Sequence, residues 1–339
     1  MWAMLMIILC VTFAVSFLLT GALRRYALAR HLVDIPNARS SHTLPTPRGG
    51  GVAIVAALLG ALLACKVAFT SLALPGVGLI GAGVLVAVTG FLDDHGHIPA
   101  RWRLMAHFSA IALGLYSIGQ LPTLDLGPIH LQAQWLLWGL GLLFGVWMLN
   151  LYNFMDGING IAGGQAVCAG LVVGTLATLH GDLTLAWVAY LVAASALGFL
   201  LWNFPVARIF MGDAGSGFLG AMLALIAVWS GSVAQSYFWA WLTVLGVFIV
   251  DATLTLLVRL ARGEKVYEAH RSHAYQHAAR RCTSHARVTS VVILINLGWL
   301  APLAAAIVQG WLSGIVGLFV AYVPLIALAI GFKAGNPSD

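Results

Sequence analysis

The chain has 339 residues, of which 61% are apolar and only 8% are charged, whereas a soluble globular domain carries about 25% charged residues. This number of charged side chains is too small to cover a water-facing surface. The composition therefore excludes a soluble globular fold and indicates a protein embedded in a lipid bilayer. The formal net charge of +6 is expected to collect on one side of the membrane, and no nucleic acid is expected as a partner. The four cysteines form no CxxC pair, which argues against a disulfide framework or a zinc site.

Eleven segments are long and apolar enough to cross a membrane, for which a helix needs about 20 mostly apolar residues. They are 2–23, 50–68, 74–92, 104–120, 134–152, 159–179, 183–202, 214–232, 236–258, 288–309 and 312–332. The first segment precedes its positive charges, Arg24 and Arg25, whereas a cleaved signal peptide has the opposite order, so we expect this segment to be retained. The predicted fold is an all-α polytopic membrane protein with about 11 transmembrane helices.

The distribution of Lys and Arg predicts the orientation, because cytoplasmic loops carry an excess of both residues. With the N-terminus in the periplasm, 16 of the 17 basic residues lie in cytoplasmic loops or in the C-terminal tail, and only Lys66 lies outside. This predicts a multi-pass protein of the bacterial inner (plasma) membrane with a cytoplasmic C-terminus. Residues 1–339 are expected to form a single integral membrane domain. Its active site is expected on the cytoplasmic face, in the loops 24–49, 93–103, 150–160, 203–216 and 259–287.

The loop before the second segment, 41–51, is rich in Pro and Gly and contains Arg48. A loop of this kind at the membrane interface could position a lipid phosphate. The alternative is an ordinary connection whose Pro and Gly residues form turns.

Two adjacent carboxylates, Asp93 and Asp94, directly follow the third segment. Adjacent carboxylates repel each other unless a cation or positive group lies between them. Mg2+ is such a cation, since it prefers oxygen ligands and usually keeps water or substrate phosphate in its shell. Arg101 and Arg103 follow, and guanidinium groups suit phosphate oxygens. The alternative is a solvated acidic pair in a loop.

The connection between the fifth and sixth segments, 150–160, is rich in amides and contains Asn150, Asn153, Asp156 and Asn159. Asn, Asp and Gly are turn formers, so a tight interhelical turn is one interpretation. A turn alone does not explain this density of amides together with a carboxylate. Amide groups offer donors and acceptors together, which suits a nucleobase or a sugar.

Asn203 directly follows the seventh segment, and a glycine-rich turn then leads through Asp213 into the eighth. Free backbone N–H groups at the start of a helix favour anions, and glycine allows a phosphate to approach the backbone closely. Asp213 could bring a third carboxylate to a metal. The alternative is that the glycines serve packing between membrane helices.

Asp251 lies inside the ninth segment, about two turns before Arg259, and an ionisable residue at membrane depth indicates a functional role. Hydrogen bonding between helices is the alternative. The basic loop that follows contains His270, Arg271 and His273. Phosphate binding is favoured here over a zinc site, because no cysteine or close carboxylate completes a tetrahedral set. A solvated basic loop is the remaining interpretation.

Together these motifs resemble the polyprenyl-phosphate N-acetylhexosamine-1-phosphate transferases, the glycosyltransferase family 4 type. The superfamily includes the enzymes that start O-antigen and enterobacterial common antigen synthesis, and the phospho-MurNAc-pentapeptide transferase of peptidoglycan synthesis. The motifs that carry the resemblance are 41–51, Asp93-Asp94, 150–160, Phe210-Met211-Gly212-Asp213 with Gly215-Ser216, and Asp251.

The resemblance implies a UDP-activated N-acetylhexosamine as donor, undecaprenyl phosphate in the lipid bilayer as acceptor, and UMP as the released product. It implies Mg2+ as cofactor, with Mn2+ as a substitute. The expected metal ligands are Asp213, Asp93, Asp94 and Asn153, and the expected catalytic residues are Asp93, Asp94 and Asp213. The expected substrate-binding residues are Asn150, Asn153, Asp156, Asn159, Asn203, Arg101, Arg103, His270, Arg271, His273 and Arg48.

The histidine loop departs from part of the superfamily. The peptidoglycan enzymes carry consecutive histidines in this loop and the common-antigen enzymes carry His-x-His-His, whereas this chain has His-Arg-Ser-His-Ala-Tyr-Gln from His270 onwards. The variant resembles the O-antigen-initiating branch and disfavours a pentapeptide substrate. A homodimer is left open. The alternative functions are a membrane transporter or flippase and a non-catalytic scaffold; the crowding of polar motifs on one face, rather than near the midplane, favours an enzyme.

Overall fold

The structure is a computed structural model that describes residues 2–34, 45–69, 77–96, 98–265 and 270–337, and most of these residues are helical. The helices are α1 (Trp2–Ala29), α2 (Gly51–Ala68), α3 (Val77–Gly96), α4 (Ala100–Ile118), α5 (Gln134–Met155), α6 (Ile161–His180), α7 (Leu183–Asn203), α8 (Asp213–Val233), α9 (Gln235–Val244), α10 (Gly246–Ala261), α11 (Ala274–Cys282), α12 (His285–Ile295), α13 (Ala301–Val308) and α14 (Gly314–Gly331). Two short antiparallel pairs join β1 (Val33–Asp34) to β2 (Thr46–Pro47) and β3 (Leu124–Leu126) to β4 (Ile129–Leu131). The predicted all-α class is confirmed.

Nine helical segments of the described residues are long and apolar enough to cross a membrane, one of them formed by α12 and α13 joined through a π-helical turn, and the bent pair α9–α10 makes a tenth when it is counted as one span. The sequence predicted eleven. The difference is α4, which covers most of the predicted segment 104–120 but carries Arg101 and Arg103 in its first turn. Its 19 residues extend over about 28 Å. Arg103 pairs with Asp93 at one end of the bundle and the β3–β4 hairpin follows the other end, so α4 traverses the bundle although its composition does not mark it as a span.

Helix α8 forms the centre of the bundle. Nearly all of its side chains are buried, and it packs against α2, α3, α5 and α9. Large apolar side chains point outward on peripheral helices, as with Leu18 on α1 and Phe319 on α14, which are 67% and 70% exposed. Extended apolar surface of this kind marks contact with lipid or another protein. Together with the long apolar helices, it makes the chain a multi-pass membrane protein.

The polar motifs that the structure describes meet at one end of the bundle. This motif end is formed by the loop before α2, the last turns of α3 and α5, and the starts of α8 and α11. The opposite end carries the β3–β4 hairpin and is called the hairpin end. Residues 35–44, with part of the 41–51 motif, and residues 266–269 of the histidine loop lie outside the described residues.

The predicted segment 236–258 is divided by a break at Leu245, where the chain bends by 66° between α9 and α10. The carbonyl of Val244, beside the break, accepts a hydrogen bond from Gln165 Nε2 at 2.7 Å. Asn296, which opens a π-helical turn between α12 and α13, donates to Gln165 Oε1 at 2.9 Å. Backbone groups at membrane depth need partners inside the protein, so these two buried amides stabilise the bend that directs α10 towards the motif end.

Candidate active site

Arg48 joins two of the three predicted catalytic carboxylates. Its Nη2 lies 2.5 Å from Asp94 Oδ1 and 3.1 Å from Asp213 Oδ1. The backbone beside Arg48 is fixed, because Pro47 O accepts from the N–H of Phe210 and Gly50 N–H donates to Phe210 O. The loop before α2 and the turn before α8 are therefore held together by hydrogen bonds, and this brings Arg48 to Asp213.

Asp94 also holds the start of α8. Its Oδ1 accepts from the N–H of Asp213 at 3.1 Å, and its Oδ2 accepts from the N–H of Ala214 at 3.2 Å. The first N–H groups of a helix have no partner within the helix, and a negative charge there is favoured by the helix dipole. The Asp94 side chain is only 5% exposed, so this carboxylate is a buried cap on the helix that carries Asp213.

Close contact between glycines makes this convergence possible. A Cβ on Gly90 of α3 would lie 2.6 Å from the backbone nitrogen of Ala214, and a Cβ on Gly51 would lie 2.4 Å from the Cα of Gly215. Both distances are shorter than packed atoms allow. The glycines of the 203–217 motif and of α3 therefore serve packing in part, because they let α2, α3 and α8 approach closely enough for the carboxylates to meet.

A polar cavity of about 250 Å3 opens beside this cluster. Its lining includes the predicted residues Arg48, Asn153, Asp156, Asn159, Asn203 and Asp213, together with Asp34, Ser216, Gln276 and His285. The structure thus brings residues from four of the predicted loops to one concave surface. Such a cavity, with a few charged and amide groups that converge, is the usual form of a small-molecule site.

Negative charge dominates the electrostatics of the polar cavity. Burial raises the pKa of Asp156 well above its usual range, and the charge on Asp213 raises it further. Burial by itself would lower the pKa of the Arg48 guanidinium, but Asp94 and Asp213 outweigh this effect and the pKa is raised. The cavity therefore favours a ligand that brings positive charge, or a cation, next to Asp156 and Asp213.

Asp93 points away from its neighbour Asp94. Its carboxylate forms a close ion pair with Arg103 of α4 and accepts from the N–H of Ile98 at 2.8 Å. Asp93 and Arg103 line a second, smaller cavity of about 50 Å3 together with Asn150. Asn153 and Asp213 border both cavities. The adjacent pair of carboxylates is therefore split between two environments, with Asp213 between them.

Two of the predicted amides are engaged in structural hydrogen bonds. Asn203 is 4% exposed; its Oδ1 accepts from the N–H of Gly160 at 2.7 Å and its Nδ2 donates to Ile209 O at 2.8 Å. Asn159 Oδ1 lies 3.3 Å from His285 Nδ1. Asn203 therefore clamps the 150–160 and 203–216 loops to each other, while Asn159 and His285 remain together at the cavity wall.

The three residues predicted from the histidine loop do not line the polar cavity. His273 is buried, with its Nδ1 3.4 Å from Asp251 Oδ1, and Arg271 O accepts two hydrogen bonds from Arg280. Burial, followed by the charges of His273 and Arg259, lowers the pKa of His270 to about 4. The His270 ring is therefore neutral near pH 7, which weakens the case for phosphate binding by this side chain.

Sequence reasoning missed the residues by which this region does reach the cavity, Gln276 and His285. Gln276 stands within the predicted histidine loop, and only the helical phase of α11 shows that it faces the cavity. His285 opens α12 and was counted among the residues of a basic loop. Arg101, in contrast, is exposed and lies over the ring of Trp102 at 5.7 Å, so the structure does not bring it to either cavity.

The oxygen ligands at the polar cavity fit a metal site in which the substrate supplies the remaining ligands. Among the described residues, no three His, Cys, Asp or Glu side chains converge closely enough to hold a metal ion. Mg2+ is usually bound by one or two carboxylates together with water and substrate phosphate. Asp213, about one-third exposed, and Asn153, whose Nδ2 donates to Ser216 Oγ so that its Oδ1 is left as an acceptor, offer such oxygens. The oxygens of Asp93 and Asp94 already contact Arg103, Arg48 and backbone N–H groups.

Comparison with known proteins agrees with this arrangement. The family model described as glycosyl transferase family 4 matches residues 76–231, which carry Asp93, Asp94, Asp156 and Asp213. The chain is 28% identical over 338 residues to a probable undecaprenyl-phosphate N-acetylglucosaminyl 1-phosphate transferase of Bacillus subtilis, covering 96% of this chain and 91% of the relative.

Two further relatives come from other bacterial groups. A decaprenyl-phosphate N-acetylglucosaminephosphotransferase of Mycobacterium tuberculosis is 30% identical, covering 83% of this chain and 77% of the relative. An undecaprenyl-phosphate alpha-N-acetylglucosaminyl 1-phosphate transferase of Yersinia pestis is 27% identical, covering 92% and 83%. With the matched motifs placed around one polar cavity, the chain belongs to the polyprenyl-phosphate hexosamine-1-phosphate transferase family.

Proposed function

We propose that the protein transfers N-acetylhexosamine 1-phosphate from a UDP-sugar to undecaprenyl phosphate, releases UMP, and so starts O-antigen or related cell-envelope polysaccharide synthesis. The observation that carries the proposal is the Arg48 bridge between Asp94 and Asp213 at the edge of an acidic polar cavity. The relatives are named for transfer of N-acetylglucosamine phosphate to polyprenyl phosphates, so UDP-N-acetylglucosamine is the first donor to test.

The proposed reaction brings together two negatively charged groups, the acceptor phosphate and the donor pyrophosphate. A phosphate oxygen of the acceptor attacks the β-phosphorus of the donor, and the bond from that phosphorus to the oxygen bridging the two phosphates breaks. UMP leaves with the bonding electrons, and the sugar C1–O bond stays intact. Catalysis of phosphoryl transfer is mainly positioning and charge neutralisation. In the proposal, Arg48 contacts donor phosphate oxygens and the amide-rich wall at Asn153 and Asn159 orients the nucleotide.

Mg2+ would supply neutralisation of the pyrophosphate charge and of the leaving UMP. Asp213 and Asn153 are the proposed ligands, and donor phosphate oxygens would complete the shell. Asp94 would act by holding the start of α8, and thereby Asp213, in place. Asp93 and Arg103, in the smaller cavity on the other side of Asp213, are proposed to orient the acceptor phosphate. We further propose that the active site lies on the cytoplasmic face of the inner membrane, because the predicted cytoplasmic loops and tail carry 16 of the 17 Lys and Arg residues.

The test is an assay of the purified protein with undecaprenyl phosphate, Mg2+ and a panel of UDP-N-acetylhexosamines, in which UMP release and sugar-phosphate lipid are both measured. We expect turnover that is abolished by EDTA, restored by Mg2+ or Mn2+, and lost in Asp213→Asn. Asp125→Asn, a carboxylate at the hairpin end that pairs with His130, is the matched control and should retain wild-type turnover.

Absence of turnover with every donor, in protein whose thermal unfolding shows that it is folded, would contradict the proposal. A transporter or flippase would then be the next function to test, by transport of the lipid phosphate across proteoliposomes. Turnover that persists in EDTA would contradict the metal part of the proposal and leave the transferase part standing.

A further inference from the structure

Asp251 contacts a helix rather than the polar cavity. It lies on α10, six residues beyond the break at Leu245, and is 5% exposed. Its Oδ1 accepts from the N–H of Ala274 at 2.9 Å, and its Oδ2 accepts from the N–H of Tyr275 at 2.9 Å. A carboxylate is costly at this depth unless it is well paired, and here it is paired with the first N–H groups of α11. Asp251 therefore fixes where α11 begins.

Helix α11 in turn supports the loop that follows α5. The hydroxyl of Tyr275 donates to Phe154 O at 3.0 Å, and the ring of Phe154 stacks on His273 with 6.4 Å between ring centroids. A Cβ on Gly157 would lie 2.1 Å from the Tyr275 hydroxyl, so the loop rests directly on this side chain. Tyr275 is itself 4% exposed and cannot move away without repacking its surroundings.

The supported loop carries the groups that face the polar cavity. Asn153 and Asp156 lie on either side of the carbonyl that Tyr275 holds, and both line the polar cavity. Gln276, the next residue after Tyr275, lines the same wall, and its Oε1 accepts from the N–H of His273. A continuous series of contacts therefore runs from Asp251 through the start of α11 to one wall of the cavity.

We propose that Asp251 is a positioning residue for the donor nucleotide, which sets the 153–157 loop through the start of α11 and the Tyr275 hydroxyl. This inference rests on the proposed transferase function. Asp93 and Arg103 make none of the contacts in this series, although Asn153 and Phe154 also line the smaller cavity. Loosening the 153–157 loop should therefore weaken donor binding more than acceptor binding.

The experiment separates this role from a general effect on folding. Asp251→Asn keeps the size of the side chain but turns an NH2 group towards one of the two backbone N–H groups. Tyr275→Phe removes only the hydroxyl. The matched controls are Asp182→Asn, a carboxylate that accepts from Tyr237 at the hairpin end, and Tyr322→Phe, whose partly buried hydroxyl donates to Leu242 O and does not line the polar cavity.

Two readouts are taken on each variant: the KM for UDP-sugar and for undecaprenyl phosphate in the turnover assay, and the Kd for UMP by calorimetry. We expect the donor KM and the UMP Kd to rise about threefold to tenfold in Tyr275→Phe, as for loss of one neutral hydrogen bond. In Asp251→Asn we expect a rise of about 10- to 100-fold, because a charged acceptor is lost. The acceptor KM should rise less than the donor KM in both variants, because Asp93 and Arg103 keep their own contacts.

Asp251→Glu supplies the rescue test, since it retains the carboxylate and should recover part of the UMP affinity that Asp251→Asn loses. Equal rises in donor and acceptor KM, or wild-type UMP binding in both variants, would overturn the inference. So would a similar loss in Asp182→Asn and Tyr322→Phe. If the wild-type protein itself neither turns over nor binds UMP, the transferase proposal fails first, and that outcome is distinct from wild-type turnover with no effect of these variants.

Discussion

Asp94 and Asp251 are built in the same way and have different neighbours. Each is a buried carboxylate on one helix that accepts two backbone N–H bonds at the start of another helix. Asp94 is also ion-paired with Arg48 at the edge of the polar cavity. Asp251 instead contacts Thr255 and His273 and borders an apolar cavity of about 180 Å3.

An acidic residue near an active site can therefore act by fixing the position of a helix. Asp94 has two tasks, since it caps α8 and also balances the charge of Arg48. Asp251 caps α11 and contacts Thr255 and His273, but among the described residues it pairs with no guanidinium. Removal of the carboxylate should therefore be more damaging at Asp94, where a guanidinium loses one partner, than at Asp251.

The strongest test of this difference is Asp94→Asn. The substitution removes the negative charge that pairs with Arg48 and turns an NH2 group towards an N–H group of α8. Breaking a buried ion pair costs about 3–5 kcal/mol, and Arg48 is partly exposed, so we expect turnover to fall at least about 100-fold. Turnover is measured in the UMP-release assay, with Asp125→Asn as control. An effect no larger than that of Asp251→Asn would contradict the distinction between the two residues.

Steric separation of α3 from α8 tests the Asp94 contact without changing a charge. In Gly90→Ala the new Cβ would meet the backbone nitrogen of Ala214 at 2.6 Å, and backbone cannot move aside as a side chain can. We expect α8 to shift away from Asp94 and turnover to fall about 10- to 100-fold, since small displacements of catalytic groups are costly.

Gly60→Ala is the matched control for this steric test, because a Cβ on Gly60 meets no atom within 4 Å. It should leave turnover unchanged. If Gly90→Ala retained full turnover, the close approach of α3 and α8 at Gly90 would not be needed to hold Asp213 in place.

The two carboxylates also show how far sequence alone could go. The motifs around Asp94 and Asp213 could be placed together because each stands at the end of a long apolar segment, and a membrane forces such ends onto one of two faces. Ten of the eleven predicted segments correspond to the apolar helices or to the bent pair for the same reason. The role of Asp94 as a cap was not predictable, since it depends on a contact with residues 119 and 120 positions away.

The contact between Asp251 and the start of α11 could not be predicted from the sequence, for a different reason. The segment around Ala274 is basic and polar, so its pattern favours a phosphate-binding loop, with a solvated loop as the alternative, whereas nine of its residues form helix α11 and six of these are buried. The break at Leu245 carries no proline and was interpreted as the middle of one span. Both features are decided by tertiary contacts of Asp251 and Gln165, which override the local pattern.

The amide pair at the break tests whether the bend itself holds Asp251 in place. Gln165→Leu removes the donor to Val244 O and leaves that carbonyl unpaired, and Asn296→Leu removes the hydrogen bonds that orient Gln165. Interhelical hydrogen bonds in membranes contribute about 0.6 kcal/mol on average and at most about 1.7, so each substitution should lower the thermal unfolding temperature modestly and raise the UMP Kd a few-fold.

The double variant sharpens this test of the bend. Because the two amides form one network, Gln165→Leu/Asn296→Leu should be less destabilised than the sum of the single variants. Additive effects on the thermal unfolding temperature would show that the two residues act independently and that the network does not define the bend.

The smallest expected effect concerns the pH dependence of the loop beside Asp251. The pKa of His270 is about 4 in the folded protein, against 6.5 for an unperturbed histidine. Between these values the unfolded chain binds a proton that the folded chain does not, so the stability contributed by the neutral ring is lost as the pH falls from about 7 towards 4. The ring is partly exposed, and the change between pH 7 and pH 5 should be about 1 kcal/mol or less.

Thermal unfolding in a neutral detergent at pH 7 and pH 5 measures this effect. The wild-type protein should lose more thermal stability at pH 5 than His270→Gln, which has no proton to gain, while His180→Gln at the hairpin end should behave like the wild type. Protonation of His270 would place a positive charge beside Arg259. With both ring nitrogens protonated, Nδ1 could no longer accept a hydrogen bond from Ser272 Oγ, which lies 2.9 Å away. Ser272 lies two residues before the start of α11, which supports the wall of the polar cavity. Acidification to pH 5 should therefore weaken UMP binding in the wild type more than in His270→Gln. An equal pH response in both proteins would show that the ring of His270 titrates without influence on the helix that Asp251 caps.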